Sequence, residues 1–553
     1  MHVGKPLAWL HGEIGPNLAA WARNGNHAAR GNETSSLAAW LVVCVTSLAV
    51  AGRAWLLFRS PYIPGVNGAY YLVQARALVE RGALGLPDLP LTFYLHAATA
   101  QLLSTVANLA PAEAIVLAVK LCDAALPPLI AWPIFVLVRR WAASGNQGLA
   151  VPLAAATLAC LASPFFRVVG DLQKNSLALV WLALLAVTLH GWLATPSGWR
   201  SVVVLATLCL LGLTHIGVLG AALVLLAAVL LVAMSRERSG PYWVRALPWI
   251  AAGILLLAGT SALVFWRFDP SRVLRLMTAL TSPATFSADG RQAPVPPGGA
   301  LAEQAVPALA FALTVVPSLI YALRRRDVLP LADVALVIGG AAAVLAMTGP
   351  WFGMDKAVRF QLIALVPAIL VAAFGILHIV SPRRRWAVLA VALVVGLGGT
   401  VASLPRAEAA ILSDATMTEL QSLARFIPEP DHTLVVAPHG AEWWSAWFLR
   451  TRVAQASALR PADWVRYKTV LFVEVKAGQQ MNGFTGGGPP GFGPPRRPPR
   501  KPGAAPRDSA PHGDAAVIPA GAEVLHDGPN LRLARVATPP GFVSTRESTP
   551  RVR

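Results

Sequence analysis

The chain has 553 residues, of which 55% are hydrophobic and only 13% charged, and it carries a formal net charge of +19. Soluble domains carry about 25% charged residues, so this composition excludes an ordinary soluble enzyme and points to a polytopic helical membrane protein with room for one small soluble domain. The positive charge gathers in short loops and a Pro-rich tail, where it suits membrane lipids with anionic headgroups, and gives no sign of a nucleic-acid partner.

Residues 1–36 are mixed polar and lack the early apolar core of a signal peptide, so they read as a cytoplasmic N-terminal lead-in. A span needs about 20 apolar residues, and Leu37 to Phe58 is the first such run. An outer loop, 59–112, follows, with turn formers Pro61, Pro64, Gly65 and Gly68. Within it Tyr70 to Arg81 has helical spacing but too much charge to span, which predicts an amphipathic helix in the membrane interface. Leu91 to Leu109 is apolar yet carries His96 and Gln101. If it spans, every later loop inverts; it is therefore read as a second interfacial helix, which leaves the arginine clusters on one side. Further spans are expected near 113–138, 149–166, 174–194, 201–215, 217–234, 246–266, 303–323, 331–348, 359–380 and 386–403. With the first, these make about eleven transmembrane helices in a multi-pass domain, 37–403.

Basic clusters stand at alternate ends of these runs: Arg139-Arg140, Arg200, Arg236 with Arg238, Arg324 to Arg326, and Arg383 to Arg385. Cationic loops are retained in the cytoplasm. The expected topology therefore has the N-terminus inside and residues 407–553 outside the inner (cell) membrane.

Beyond Ala407 the composition changes. Asp414 to Ile427 reads as an amphipathic helix, Thr433 to Ala437 and Thr469 to Lys476 as strands, and Val524 to Val536 as a hairpin. This is a small extracytoplasmic α/β domain, 407–553, interrupted by a Gly/Pro/Arg-rich insert, 483–513, expected to be disordered. Cys44, Cys122, Cys160 and Cys209 all lie in apolar runs, with no CxxC pair, so a structural zinc site is not expected. No Walker loop, GxSxG, HExxH or GxGxxG opening a helix occurs, so cytoplasmic nucleotide chemistry has no visible seat.

The polar residues able to do chemistry lie in the outer loops. Pro64-Gly65-Val66-Asn67-Gly68-Ala69-Tyr70-Tyr71 runs on through Gln74 and Arg76 to Pro87-Asp88-Leu89-Pro90; the plainer reading is a turn with aromatic anchors at headgroup depth. In Gly170-Asp171-Leu172-Gln173-Lys174, an acid near the hydrocarbon boundary is costly unless paired or used. Asp171 and Lys174 would pair on one helical face, or Asp171 would cap the next span. His215 sits in a tight hairpin and reads either as a structural residue or as a ligand for substrate. Arg359 opens a span from the outer side, as a phosphate fork or a snorkelling anchor. Glu442-Trp443-Trp444 would stack on a sugar, lie on the bilayer, or pack in a core.

This layout resembles the GT-C superfamily of membrane glycosyltransferases, which includes protein mannosyltransferases, aminoarabinose transferases and oligosaccharyltransferases. The first outer loop with Pro90-Leu91-Thr92-Phe93-Tyr94, the Gly170-Asp171 loop and Arg359 carry the resemblance over roughly 37–403. It implies an all-α GT-C-like fold and transfer of a sugar from a polyprenyl-phosphate donor on the outer face, with an acidic general base and cationic groups at the leaving phosphate. Where the family has its first-loop aspartate, this chain has Asn67. The implied catalytic set is therefore Asp171 as base or metal or acceptor ligand, Asp88 as rival base, and Asn67 as an orienting group. Lys174, His215, Arg359, Arg76 and Tyr70 are expected to bind substrate. No cofactor is fixed by the sequence; a divalent cation remains open. The competing class is a non-catalytic multi-pass protein, a transporter or lipid-binding scaffold.

Overall fold

The computed structural model describes residues 29–144, 148–236, 259, 314–348, 354–403, 411–476 and 518–537. In chain order, the first helices are α1 (Ala29–Phe58), α2 (Gly68–Arg81), α3 (Leu91–Val106), α4 (Pro111–Ala125), α5 (Ala131–Ser144) and α6 (Ala150–Leu161). They are followed by α7 (Gln173–Ala194), α8 (Gly198–Thr214), α9 (Ile216–Arg236), α10 (Leu331–Thr348), α11 (Met354–Leu377) and α12 (Pro382–Ser403). Among the described residues six helical stretches are long and apolar enough to cross a membrane: Ser36–Phe58, Pro111–Ala143, Gln173–Ala194, Ile216–Arg236, Leu331–Thr348 and Pro382–Val401. Ala150–Phe166, Gly198–Thr214, Thr314–Arg324 and Leu362–Leu377 are apolar but shorter. The expected span at 246–266 and the insert at 483–513 lie outside the described residues.

Breakers and caps set the helix ends. Gly82 closes α2 in the left-handed conformation at φ 68°, and Pro111 stands in the first turn of α4. Ser197 caps α8 through the N–H of Arg200. The stretch Pro111–Ala143 is a helical rod whose two α-segments are joined by a 3₁₀ turn at Pro127–Ile130. Leu91–Val106 packs back along the start of that rod, with Thr99 against Cys122.

Side-chain contacts define two ends of the bundle. At one end, Trp141 lies against His190 and Phe374, His190 bonds Asp333 at 2.8 Å, and Arg236 donates to the carbonyl of Leu329. Arg200 holds the carbonyls of Gly191 and Thr195 beside them. The basic loops thus share this end. The opposite end carries α2, α3, the start of α4, and the turn before α7.

The C-terminal region folds onto that opposite end. It contains α13 (Asp414–Ser422), β1 (Thr433–Val436), α14 (Glu442–Leu449), β2 (Arg452–Ala454), α15 (Pro461–Arg466), β3 (Thr469–Val475), β4 (Glu523–Asp527) and β5 (Leu531–Val536). The sheet order is β2-β1-β3-β5-β4, parallel at β1 with β2 and β3, and antiparallel at β3–β5–β4. Only the three-residue β2 has no counterpart among the predicted strands. One core joins the sheet to the first outer loop: Leu72, Phe93, Ile115, Leu420, Val435 and Leu533 belong to a single buried cluster. Helix α2 is therefore covered by protein rather than laid on a lipid surface, with Tyr71, Leu72, Gln74 and Ala75 buried.

Candidate functional site

The turn before α2 is built so that the first outer loop meets the loop before α7. Gly65 takes φ 85°, and a methyl group there would stand 2.5 Å from Cβ of Asp171. Gly170 takes φ 79°, where a side chain would run into the carbonyl of Pro64. Both positions need glycine for conformation and for space. In that close approach, one carboxylate oxygen of Asp171 accepts from the backbone N–H of Asn67 at 2.7 Å and from its side-chain amide at 3.0 Å. Replacing Gly170 by Ala is expected to cost about 1–3 kcal/mol of stability and to loosen Asp171; thermal unfolding with an activity assay on the same sample checks it.

Asn67 acquires a physical reason here. A second carboxylate at this distance would set two like charges against each other, whereas the Asn67 amide donates to the Asp171 carboxylate. Asp171 neither pairs with Lys174 nor caps α7, whose N-cap is Leu172 with no side-chain cap bond. Instead Lys174 reaches across to Asp88, which also accepts from the hydroxyl of Tyr70. The other Asp88 oxygen accepts from the N–H of Leu89 at 2.7 Å. Gln74 supports this group, donating to Tyr70 Oη at 3.1 Å and exchanging bonds with the backbone of Leu86. The Lys174 ammonium also lies over the rings of Tyr70 and Phe93, at 5.6 and 5.4 Å, a favourable cation–π setting.

Tyr71 joins the two halves. Its hydroxyl donates to the carbonyl of Asp171 at 3.3 Å and accepts from the N–H of Lys174 at 3.4 Å. Burial, then the nearby Asp171 charge, pushes the phenol well above its ordinary pKa, so it stays protonated. His96, with its ring 5.9 Å from that of Tyr71, is pushed by burial down to about 3 from 6.5. It is therefore neutral when folded. The unfolded chain binds the extra proton between those two values, so its contribution to stability is present above pH 6.5 and falls as pH drops towards 3. His96→Phe is expected to flatten the acid side of the melting-temperature profile across that window, a result differential scanning fluorimetry reads directly.

The C-terminal domain roofs the site. Arg76 donates to the carbonyls of Trp447 (2.7 Å) and Ala446 (2.8 Å) and lies over the Trp447 ring. It is thus spent on joining the two regions, and its substrate role has no support in these contacts. Arg452 adds a bond to Gly85 O at 2.8 Å. Trp444 is a core residue, edge-on to Tyr62 and stacked on Phe448. Trp443 differs: its ring sits 4.8 Å from Tyr70, at the rim of the Asp88–Lys174 group.

Beneath the site lies a feature that sequence reasoning missed. Arg53 of α1 and Asp123 of α4 form an ion pair at 2.6 Å with both side chains fully buried. Arg53 also donates to the carbonyls of Asp123 and Phe165, each at 2.8 Å. The second oxygen of Asp123 accepts from the N–H of Gly170 at 2.7 Å. The available signal was a lone arginine and a lone aspartate inside separate apolar runs, which must find partners.

His215 ends α8 and accepts from the N–H of Val218 through Nδ1 at 3.3 Å, a capping bond for α9. Gly217 separates its ring from Ile363. Ile363 lines a narrow cleft with Phe165, Val168 and Asn175, and the Asn175 side-chain nitrogen is buried without a partner among the described residues. Arg359 falls within α11 at this end of the bundle, but its side chain lies outside the described residues. Asn67, Tyr70, Asp88, Asp171 and Lys174 are therefore linked by these contacts, whereas Arg76 donates to the Ala446 and Trp447 carbonyls and His215 accepts from the N–H of Val218. Among the described residues no three His, Cys, Asp or Glu side chains gather as metal ligands. Asp88 is already neutralised by Lys174, so these residues do not fit a divalent cation and no step is derived through one.

No family model matches the chain, and no curated protein matches it in sequence. Among solved structures it is similar to the oligosaccharyltransferase of Archaeoglobus fulgidus in its apo form, with 13% identity and a TM-score of 0.48. The match covers 74% of this chain and 64% of that one, so the chain spans less than two thirds of that protein's length.

Proposed function

We propose that the protein is an integral membrane glycosyltransferase of GT-C-like fold, moving a sugar from a polyprenyl-phosphate donor to an acceptor hydroxyl. The observation that carries this reading is the meeting of Asp171 and Asp88–Lys174 from two separate loops, at the end of the bundle opposite the arginine-rich loops. With the basic end cytoplasmic, that group faces the extracytoplasmic side, where a lipid-borne donor is presented.

In this mechanism Asp171 is the general base. Its oxygen not held by Asn67 has no partner among the described residues. It takes the proton of the acceptor hydroxyl as that oxygen bonds the anomeric carbon and the bond from that carbon to the phosphate oxygen breaks. Polyprenyl phosphate leaves with the bonding electrons. Lys174 offers its charge to the leaving phosphate, exchanging part of its contact with Asp88, and Tyr70 and Asp88 orient it. Trp443 forms an aromatic wall to the same space.

The reading is tested with full-length protein in nanodiscs, a set of polyprenyl-phosphate sugars, and detection of both released polyprenyl phosphate and glycosylated acceptor. Saturable donor binding without turnover would favour a lipid-binding scaffold instead, a reading suggested by how fully Asp88 is engaged. Absence of both binding and turnover across the donor set would overturn the proposal.

A further inference from the structure

We propose that Asp123 is the positioning residue for Asp171, holding the loop that carries it through the N–H of Gly170, and that Arg53 pairs the Asp123 charge and braces the same loop. The inference rests on reading Asp171 as the reacting carboxylate, but the tether itself can be measured separately.

The geometry points to positioning rather than to packing alone. Asp123 divides its two oxygens: one meets Arg53 at 2.6 Å, the other the Gly170 N–H at 2.7 Å. The residue held is the immediate neighbour of Asp171. It is also caught from above, because Gly170 leaves no room for a side chain against Pro64. Arg53 fixes the other flank of this loop through the carbonyl of Phe165, over whose ring its guanidinium lies at 4.8 Å. Thus α1, α4 and both ends of the 165–170 segment meet at one guanidinium–carboxylate pair, and Asp171 leaves that brace to meet Asn67.

A buried ion pair is a poor way to stabilise a helix bundle, since a well-packed apolar pair of similar volume does as well or better. What the apolar pair could not do is accept from Gly170. A fixed acceptor at this spot holds a catalytic side chain within the few tenths of an ångström that efficient proton transfer demands.

The test compares Arg53→Met/Asp123→Leu with Arg53→Met/Asp123→Asn in full-length protein in nanodiscs. Both remove the charges together, but only asparagine keeps an oxygen for the Gly170 N–H. The leucine pair is expected to lose about 10–100-fold in kcat with little change in KM, and to exchange amide hydrogens faster across 166–175 by mass spectrometry. The asparagine pair is expected to recover most of both. If the leucine pair does not assemble, Arg53→Met/Asp123→Val takes its place. Equal exchange across 166–175 in the two pairs overturns the tether. Slower exchange in the asparagine pair with equal kcat overturns the link to Asp171. If wild-type protein shows no transfer, the exchange comparison still decides the tether, and the glycosyltransferase reading fails on its own.

Discussion

Asp171→Asn is expected to lower transfer by about 10²–10⁴-fold, the usual worth of a general base, while leaving folding nearly intact. The amide oxygen can still accept from Asn67, whose two donors lie at 2.7 and 3.0 Å from the present carboxylate oxygen. What is lost is the second oxygen, replaced by an NH₂ group that cannot take a proton. The loss should therefore appear in kcat, with donor affinity preserved. Asp88→Asn is expected to behave differently. Its carboxylate already serves Tyr70, Lys174 and the Leu89 N–H. Removing its charge should release Lys174, raise the apparent KM for the donor, and cost less in kcat. Initial rates over a range of donor concentrations separate the two variants. Full activity in Asp171→Asn with none in Asp88→Asn would exchange their roles, and full activity in both would end this assignment of the site.

The fold was legible where local pattern decides it. Among the described residues, apolar runs and their flanking arginines locate most of the helices, because only helices satisfy every backbone group in lipid, though the first begins at Ala29, ahead of the apolar run at Leu37. The strand near Thr433 and the hairpin near Val524 follow from alternation and turn chemistry. The three-residue β2 escaped because its only support is pairing with β1. At the site, Asp171, Asp88 and Lys174 stood out because acids and amines at the ends of apolar runs are conspicuous. Their partners did not. The expected Asp171–Lys174 pair assumed a helical turn that does not form, and both side chains look instead to residues 104 and 86 positions away. Arg76 reads as a substrate ligand as part of the first outer-loop motif; nothing local announces the Ala446 and Trp447 carbonyls to which it donates. Long-range pairing is set by how helices pack, and no periodicity encodes it.

The second large effect concerns stability. Asp123→Ala alone is expected to destabilise the protein by about 3–5 kcal/mol, the cost of leaving one member of a buried pair uncompensated. The Arg53 side chain has 0% exposure, so water cannot take over the missing charge. The two backbone carbonyls it holds satisfy its N–H groups but supply no counter-charge. Arg53→Ala should cost a similar amount, since Asp123 is equally enclosed and retains only the Gly170 N–H. The two losses should not add. The charge-free double variant Arg53→Met/Asp123→Leu removes the orphaned charge with the pair, so it should sit much closer to wild type than either single variant; with the matching singles Arg53→Met and Asp123→Leu it should show a coupling of several kcal/mol in a double-mutant cycle. Reversible unfolding in mixed micelles, followed by tryptophan fluorescence, measures each variant. Additive losses would mean that Arg53 and Asp123 act independently and that the carbonyls and the Gly170 N–H, rather than the charge pair, hold α1 to α4.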